Sequence, residues 1–212
     1  MSPPPPRGPT RRRQADRRAE TRRKLLDAAV VSLVENGFAG TTVGTIASAA
    51  GVTRGALNHH FDSKIELMLA AAGRVTEDFV ERLTSRLAGL AGSDPYERAL
   101  RSLWEAIYRE PMFVARLELL LGARSQAEII EEIKAELLRG HLNVHRLLSD
   151  AFERSDSPLT LSQEVLDLAL TTLRGLALEM IVRQDEGFAD RQLRLLADAV
   201  RGLMMARSGS AG

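Results

Sequence analysis

The chain has 212 residues, which is long enough for one or two domains with a sizeable hydrophobic core. Apolar residues make up 44% and charged residues 27%, so the composition excludes a wholly disordered chain and a collagen-like chain. The formal net charge is only +1, and the absence of cysteine excludes disulfide bonds, thiolate metal sites and a cysteine nucleophile.

Positive charge is concentrated at the N-terminus. Residues 1–24 contain nine basic and two acidic residues, a net charge of +7, whereas residues 25–212 contain 20 basic and 26 acidic residues, a net charge of −6. Four consecutive prolines precede an arginine run, and no apolar side chains anchor this segment. We therefore predict that residues 1–18 form a disordered basic arm that binds nucleic acid, with a passive solvated tail as the alternative.

Signals for secretion and membrane insertion are missing from the sequence. The N-terminal segment lacks the apolar stretch of a secretory signal. The most apolar late segment is interrupted by Asp167, Arg174 and Glu179, so it falls short of the roughly 18 apolar residues that a membrane span requires. These features predict a cytoplasmic protein that does not contact a membrane.

The apolar spacing is helical from about Asp16 onward, and no stretch alternates as a β-strand does. The sequence therefore predicts an all-α fold. Helix one is expected to run to Asn36, because Asn36 and Gly37 form a C-terminal stop signal.

Two short helices are expected next. Thr42 is a capping residue for the first, which ends near Ala50, and Gly51 permits the left-handed backbone of a tight turn. Thr53 is a capping residue for the second, which covers residues 54–60.

A long helix is predicted over residues 63–90, where apolar residues recur at gaps of three and four. At this length it spans roughly 40 Å. Such a rod can join a small N-terminal head to a larger helical body. We place the boundary there, with the head at residues 19–79 and the body at residues 80–212.

The body is expected to contain five helices, for about nine in all. Three start signals support them: Asp94 before Pro95, Ser125 with Glu128, and Thr160 with Gln163. The predicted ranges are 95–110, 112–121, 125–152, 160–184 and 190–207.

The segment at residues 162–184 is apolar around almost its whole circumference. A helix of this kind must be buried. Its own chain can cover two sides, and a second copy can cover the rest in a two-fold contact. We therefore predict a homodimer through the helices at about 162–184 and 190–207, with a central core helix as the alternative.

The two short helices have the dimensions of a helix-turn-helix, whose second helix enters the major groove of DNA. Leu57 and Phe61 are left to pack inward, while the neighbouring positions carry hydrogen-bond donors or a glycine. That composition is poor chemistry for a core. The positions in question are Thr53, Arg54, Gly55, Asn58, His59, His60 and Lys64.

Residues 21–64 carry a specific set of short segments. These are Thr41-Thr42-Val43, Ile46-Ala47, Ala50-Gly51-Val52-Thr53, Gly55 with Leu57, and His60-Phe61 to Lys64. Together they resemble the TetR family of bacterial transcriptional regulators. The remaining helices are similar in number and length to the ligand-binding and dimerisation body of that family, so residues 80–212 are expected to form an effector-binding and dimerisation domain.

The resemblance implies two kinds of DNA contact. Arg54, Gly55 and His59 would face base edges or the adjacent backbone. Thr42, His60 and Lys64 would hold phosphates. The chemistry agrees, because arginine can bind guanine through two hydrogen bonds, glycine lets the backbones approach closely, and hydroxyl groups suit phosphate oxygens.

Two residues depart from the family pattern. Asn58 stands where the family usually has a tyrosine that contacts phosphate, so either that contact is lost or Asn58 reads adenine. Gly44 is unusual inside a short helix, where it costs roughly 1 kcal/mol relative to alanine.

Enzymatic and metal sites are not indicated by the head. His59 and His60 are adjacent in a helix and diverge by about 100°, which disfavours chelation of one ion. Residues 51–55 imitate the frame of a nucleophile elbow, but a helix rather than a strand precedes them. We therefore expect no catalytic residues, no cofactor, no metal site and no enzyme.

His141 and His145 lie four residues apart in a predicted helix, a spacing that can place both rings on one ion. No matching third ligand is evident in the sequence. Ordinary packing and the lining of an effector pocket are therefore the favoured interpretations of this pair, and metal binding is the least favoured.

A cluster of bulky residues surrounds Pro111. Most such clusters are simply core, but the resemblance implies an effector cavity among the middle helices. We expect an organic, largely apolar ligand whose polar or anionic group meets Arg116 or a histidine. The tentative lining residues are Trp104, Tyr108, Met112, Phe113, Arg116, His141 and His145.

The sequence thus favours a DNA-binding transcriptional regulator. Two recognition helices of a homodimer would enter successive major grooves, roughly 34 Å apart, on a near-palindromic operator of double-stranded DNA. A small organic effector would release this repressor from the operator. The alternatives are an activator built from the same parts and a small-molecule-binding helical protein without a DNA role.

Overall fold

The computed structural model describes the backbone of residues 9–87, 94–154 and 162–209, and their side chains from residue 14 to residue 206. Within these ranges the secondary structure is helical and contains no strand, which confirms the predicted all-α fold. No helix in the described ranges is long and apolar enough to cross a membrane. The helices are α1 (Pro9–Gly40), α2 (Val43–Ala49), α3 (Arg54–Asn58), α4 (Lys64–Leu87), α5 (Pro95–Leu103), a π-helical segment (Trp104–Tyr108), α6 (Pro111–Ala123), α7 (Ile130–Arg154), α8 (Gln163–Arg183) and α9 (Glu186–Gly209).

Helix α1 differs from the prediction at its N-terminal end. It begins at Pro9, so residues 9–18 of the predicted disordered arm are helical, and residues 1–8 lie outside the described residues. The reason is local, because Arg, Gln, Ala and Glu are strong helix formers and proline is tolerated in the first turn. At the other end the predicted stop is present, since Gly37 has φ 68° and ψ 177°, a conformation that interrupts the helix.

Helices α2 and α3 begin at the predicted capping residues. The Thr42 hydroxyl accepts a hydrogen bond from the Thr45 N–H at 3.1 Å, and the Thr45 hydroxyl accepts from the Thr42 N–H at 2.9 Å. The Thr53 hydroxyl accepts from the Ala56 N–H at 3.1 Å. Helix α3 ends at Asn58 and is two residues shorter than predicted.

The chain forms two compact units, and neither is continuous in sequence. The first contains Met1–Val75 and Ala115–Lys134, and the second contains Thr76–Val114 and Ala135–Gly212. The expected boundary at residue 79 lies close to the division within α4. The assignment of residues 115–134 to the first unit has no counterpart in the sequence prediction.

The core of the first unit is built from apolar faces of α1 to α4 and includes side chains from α6 and the segment before α7. The predicted inward residues Leu57 and Phe61 are both buried, and the hydroxyl groups of Ser32 and Thr41 form a buried hydrogen bond of 3.1 Å. Buried members include Leu25, Leu33, Phe38, Ile46, Leu57, Phe61, Leu67, Met68, Leu119 and Ile129.

The helices that follow α4 start and end differently from several predictions. The predicted helix at 95–110 divides, because the Arg109 N–H bonds to the Trp104 carbonyl at 2.9 Å in a π-helical turn. The start signal at Ser125 and Glu128 is wrong, since residues 124–129 form turns and α7 begins at Ile130. Thr160 lies outside the described residues.

Candidate nucleic-acid interface

The exposed side of α3 carries the predicted DNA-reading residues. Thr53, Arg54, Gly55, Asn58 and His59 are all exposed, whereas Leu57 on the same helix is buried. The five residues therefore lie on a solvent-facing surface, and the buried side chain of Leu57 anchors the helix in the core. Such a surface can approach a DNA groove without disturbing the core.

The contact between Arg54 and Gly44 accounts for the unusual glycine in α2. A Cβ atom built on Gly44 would overlap the guanidinium group of Arg54 and would lie 3.1 Å from its Cζ atom. Gly44 therefore leaves the room in which the Arg54 side chain lies across α2. The glycine that was unexpected in a short helix thus stands where a larger side chain would displace the Arg54 guanidinium.

Two predicted phosphate-binding residues are already engaged within the first unit. The Thr42 hydroxyl caps α2, and the Lys64 Nζ lies 3.4 Å from the Phe38 carbonyl and 5.1 Å from the centre of the Phe38 ring. An ammonium group has three N–H donors, so Lys64 can keep this contact and still bind a phosphate.

His60 is half-buried, and among the described residues its Nδ1 atom has no hydrogen-bond partner. Burial lowers the pKa of His60, and the nearby positive charges of Arg18 and Arg22 lower it further. The ring is therefore neutral near pH 7 and offers one N–H donor rather than a positive charge.

Two arginines of α1 lie near the end of α3, and one of them, Arg18, belongs to the segment that was predicted to be a disordered arm. The Arg22 guanidinium lies 4.8 Å from the centre of the Phe61 ring, and Arg18 is close enough to affect His60. Both arginines are carried by a helix beside the end of α3, not by a flexible arm. Their periodic position on α1 was visible in the sequence, but their neighbours were not.

The residues predicted to line an effector pocket are divided between the two units. In the second unit, Tyr108 stacks on Trp104 with ring centres 6.5 Å apart and meets Phe113 edge-on at 5.4 Å. All three are buried, while Met112 is half-buried. Arg116 belongs to the first unit.

An apolar crevice of about 20 Å³ lies among α5, α7, α8 and α9 in the second unit. It is lined by side chains such as Leu103, Phe152 and Leu166, none of which was predicted as a pocket residue. Tyr96 also lines it, and the buried Tyr96 hydroxyl has no hydrogen-bond partner among the described residues. Burial raises the pKa of Tyr96, so this hydroxyl is protonated and can donate.

His141 and His145 contact each other and a third residue that the sequence did not indicate. The Nε2 atoms of His141 and His145 lie 3.1 and 2.9 Å from Oδ1 of Asp167, which is on α8. The Arg174 guanidinium lies 3.1 Å from Nδ1 of His141. Burial lowers the pKa of His141, and His145 lowers it further, whereas the hydrogen bond to Asp167 opposes both.

Two opposing effects shift the pKa of the Asp167 carboxyl. Burial raises its pKa, but hydrogen bonds and charge interactions with His145 and His141 together outweigh burial, so the pKa lies below its usual value. Asp167 is therefore ionised near neutral pH, beside two rings and a guanidinium.

Comparison with known proteins agrees with the geometry of the first unit. The family described as bacterial regulatory proteins of the tetR family matches residues 25–71, which contain α2, α3 and most of the core just described. The HTH-type transcriptional regulator CymR of Pseudomonas putida is 32% identical over 183 residues, which cover 84% of this chain and 88% of CymR. The chain belongs to the TetR family. It is a DNA-binding transcriptional regulator, and members of this family are not enzymes.

Other relatives of this TetR-family regulator extend the comparison to the second unit. The HTH-type transcriptional repressor KstR of Mycolicibacterium smegmatis is 30% identical over 141 residues, which cover 65% of this chain and 64% of KstR. The crystal structure of the multidrug binding protein EbrR complexed with imidazole superposes with a TM-score of 0.57 at 25% identity, covering 82% of this chain and 93% of EbrR. The fold of this regulator is therefore that of its family.

Proposed function

We propose that this chain is a homodimeric repressor that acts in the bacterial cytoplasm, binds a near-palindromic operator and is released by a small organic effector. The observation that carries the proposal is the exposed α3 surface, on which the Arg54 guanidinium lies against Gly44. KstR, which is named a repressor, supports the sign of control, and EbrR, which is named a multidrug binding protein, supports a small-molecule effector.

DNA reading is assigned to α3 and its flanks. Arg54, with Gly55 and His59, contacts base edges, because a guanidinium group can donate two hydrogen bonds to the two acceptors of guanine. Asn58 is exposed and its amide is suited to adenine. Thr42, Thr53, His60 and Lys64 bind backbone phosphates and set the orientation of α3 in the groove.

The dimer interface is assigned to α8 and α9. One side of α8 is buried within the second unit, while Leu168, Leu178 and Val182 on its other side are exposed, Val182 at 81%. Leu195 and Leu203 on α9 are also exposed apolar side chains. An apolar surface of this kind favours a self-complementary contact with a second copy.

The effector is assigned to the second unit. The apolar crevice there has room for about one water molecule, so an organic ligand must separate the packed side chains to enter. The unpartnered Tyr96 hydroxyl is the group that meets the polar end of the ligand. The ligand thus binds the conformation in which these side chains are separated. This binding shifts the protein away from the conformation that binds DNA.

The test uses the full chain and the DNA upstream of its own gene. Fluorescence anisotropy should show binding of one dimer, and Arg54→Ala should weaken it by about 1–3 kcal/mol while relaxing sequence preference. A thermal-shift screen of small molecules should then find ligands that stabilise the protein and release the DNA. Equal weakening on all DNA sequences would contradict base reading, and a chain that ignores promoter DNA at low salt would overturn the proposal.

A further inference from the structure

The side chains of His141, His145 and Asp167 form a compact triangle on the second unit. The Nε2 atoms of the two histidines are 3.1 Å apart, and Oδ1 of Asp167 lies 3.1 and 2.9 Å from them. Two residues come from consecutive turns of α7, and the third comes from α8, which is far along the chain. We propose that this triangle is a binding site for a divalent transition-metal ion.

The spacing of the three atoms matches one face of a coordination shell. For an ion about 2.1 Å from each ligand, neighbouring ligands lie about 3.0 Å apart in octahedral geometry and about 3.4 Å apart in tetrahedral geometry. The three observed edges, 2.9 to 3.1 Å, agree with the octahedral value. A single ion can therefore contact all three atoms with little movement of either helix.

The hydrogen bonds among these atoms also favour an ion. The Arg174 guanidinium donates to Nδ1 of His141, so in the neutral ring the proton is on Nε2. His145 likewise directs its Nε2 toward the same carboxylate oxygen. Two N–H groups then point at one oxygen while lying 3.1 Å from each other. One ion in place of both protons satisfies all three ligand atoms.

The donor set determines the class of ion. Two imidazoles and one carboxylate favour zinc, nickel, cobalt or copper, whereas magnesium and calcium prefer oxygen ligands alone. The Asp167 side chain is 48% exposed, so water can reach the ion and complete its coordination. The site is formed within the second unit and does not depend on the proposed DNA contacts.

Arg174 is the group that opposes the ion. When a metal binds Nε2 of His141, the ring proton moves to Nδ1, which then needs an acceptor rather than the N–H of a guanidinium. The positive charge of Arg174 also repels a cation. Binding of the metal therefore requires the Arg174 side chain to leave Nδ1, and removal of this guanidinium should strengthen binding.

The test titrates the full, tag-free and metal-free chain with Zn²⁺ and Ni²⁺ by calorimetry. We expect one ion per chain, and we expect Asp167→Asn and His145→Ala each to weaken binding by about tenfold or more. Arg174→Gln should tighten it severalfold. His59→Ala is the matched control, because it removes an exposed histidine from the first unit.

Circular dichroism of each variant establishes that the helices are intact, and Asp167→Asn keeps the size of the side chain. Binding in the wild type that is no tighter than in a His141→Ala, His145→Ala double variant would overturn the site. Loss of affinity in Arg174→Gln would contradict the competition between the guanidinium and the ion. DNA is absent from the titration, so its outcome is independent of operator binding.

Discussion

The Glu118 carboxylate accepts a hydrogen bond from the backbone N–H of Phe38 at a distance of 2.8 Å. The two residues are 80 positions apart, yet both belong to the first unit. The left-handed backbone at Gly37 directs the Phe38 N–H toward α6. The C-terminal end of α1 is thus tied to a carboxylate from a distant helix, just before the α2–α3 motif begins.

Replacing Glu118 with alanine should lower the free energy of unfolding by about 1–2 kcal/mol, because a partly buried N–H loses a charged acceptor. Glu118→Gln keeps a neutral carbonyl acceptor and should cost less. Urea unfolding of both variants measures the difference. If both variants are as stable as the wild type, the hydrogen bond to Phe38 contributes nothing to stability.

Gly122 on α6 packs against the Phe38 ring so closely that a Cβ atom would overlap the ring carbons. We expect Gly122→Ala to lower the free energy of unfolding by about 1–3 kcal/mol through overpacking. Gly55→Ala is the matched control, since its new Cβ would meet only the Thr53 hydroxyl at 3.8 Å. Thermal unfolding should show loss of stability for the first variant and none for the second.

Gly44→Ala should weaken DNA binding without lowering the stability of the protein. The new methyl group favours the α2 helix by up to about 1 kcal/mol, but it displaces the flexible Arg54 side chain. We expect unchanged or higher thermal stability together with weaker operator binding. In an Arg54→Ala background the same substitution should have no further effect on binding, and a full additional loss there would disprove the link between Gly44 and Arg54.

Val182→Glu tests the proposed dimer. A charge on the exposed apolar surface of α8 must be desolvated twice in a two-fold contact, so the dissociation constant of the dimer should rise by about tenfold or more. Sedimentation equilibrium measures this change. Leu138→Glu, at an exposed position on α7, should leave the dimer intact. An equal effect of both substitutions would argue against an interface formed by α8.

The features that the sequence predicted correctly depend on neighbours along the chain. The caps at Thr42 and Thr53 form hydrogen bonds to residues three positions away, and the stop at Gly37 depends on its own φ angle. The absence of strands in the described ranges follows from apolar spacing in the same way. For the same reason the short helix-turn-helix segments were enough to indicate the family.

One wrong prediction came from a local signal that tertiary packing overrides, and the other came from a charge run whose residues have high helix propensity. The capping pattern at Ser125 and Glu128 does not start α7, because residues 124–129 turn instead and bury Ile129. The arginine-rich segment was taken as disordered from its charge, yet its residues from position 9 onward continue α1. A capping pattern does not predict which distant residues pack beside it, and a run of charge does not predict the helix propensity of its residues.

By itself, the sequence determined that the protein is all-α and carries the TetR-type head. Only the tertiary structure decided that Asp167 meets the two histidines, that Glu118 holds Phe38 and that Gly44 makes room for Arg54. The physical reason is the distance along the chain over which each interaction acts. Helix formation and capping act over a few residues, whereas these contacts join side chains that are brought together only when the apolar faces of separate helices pack.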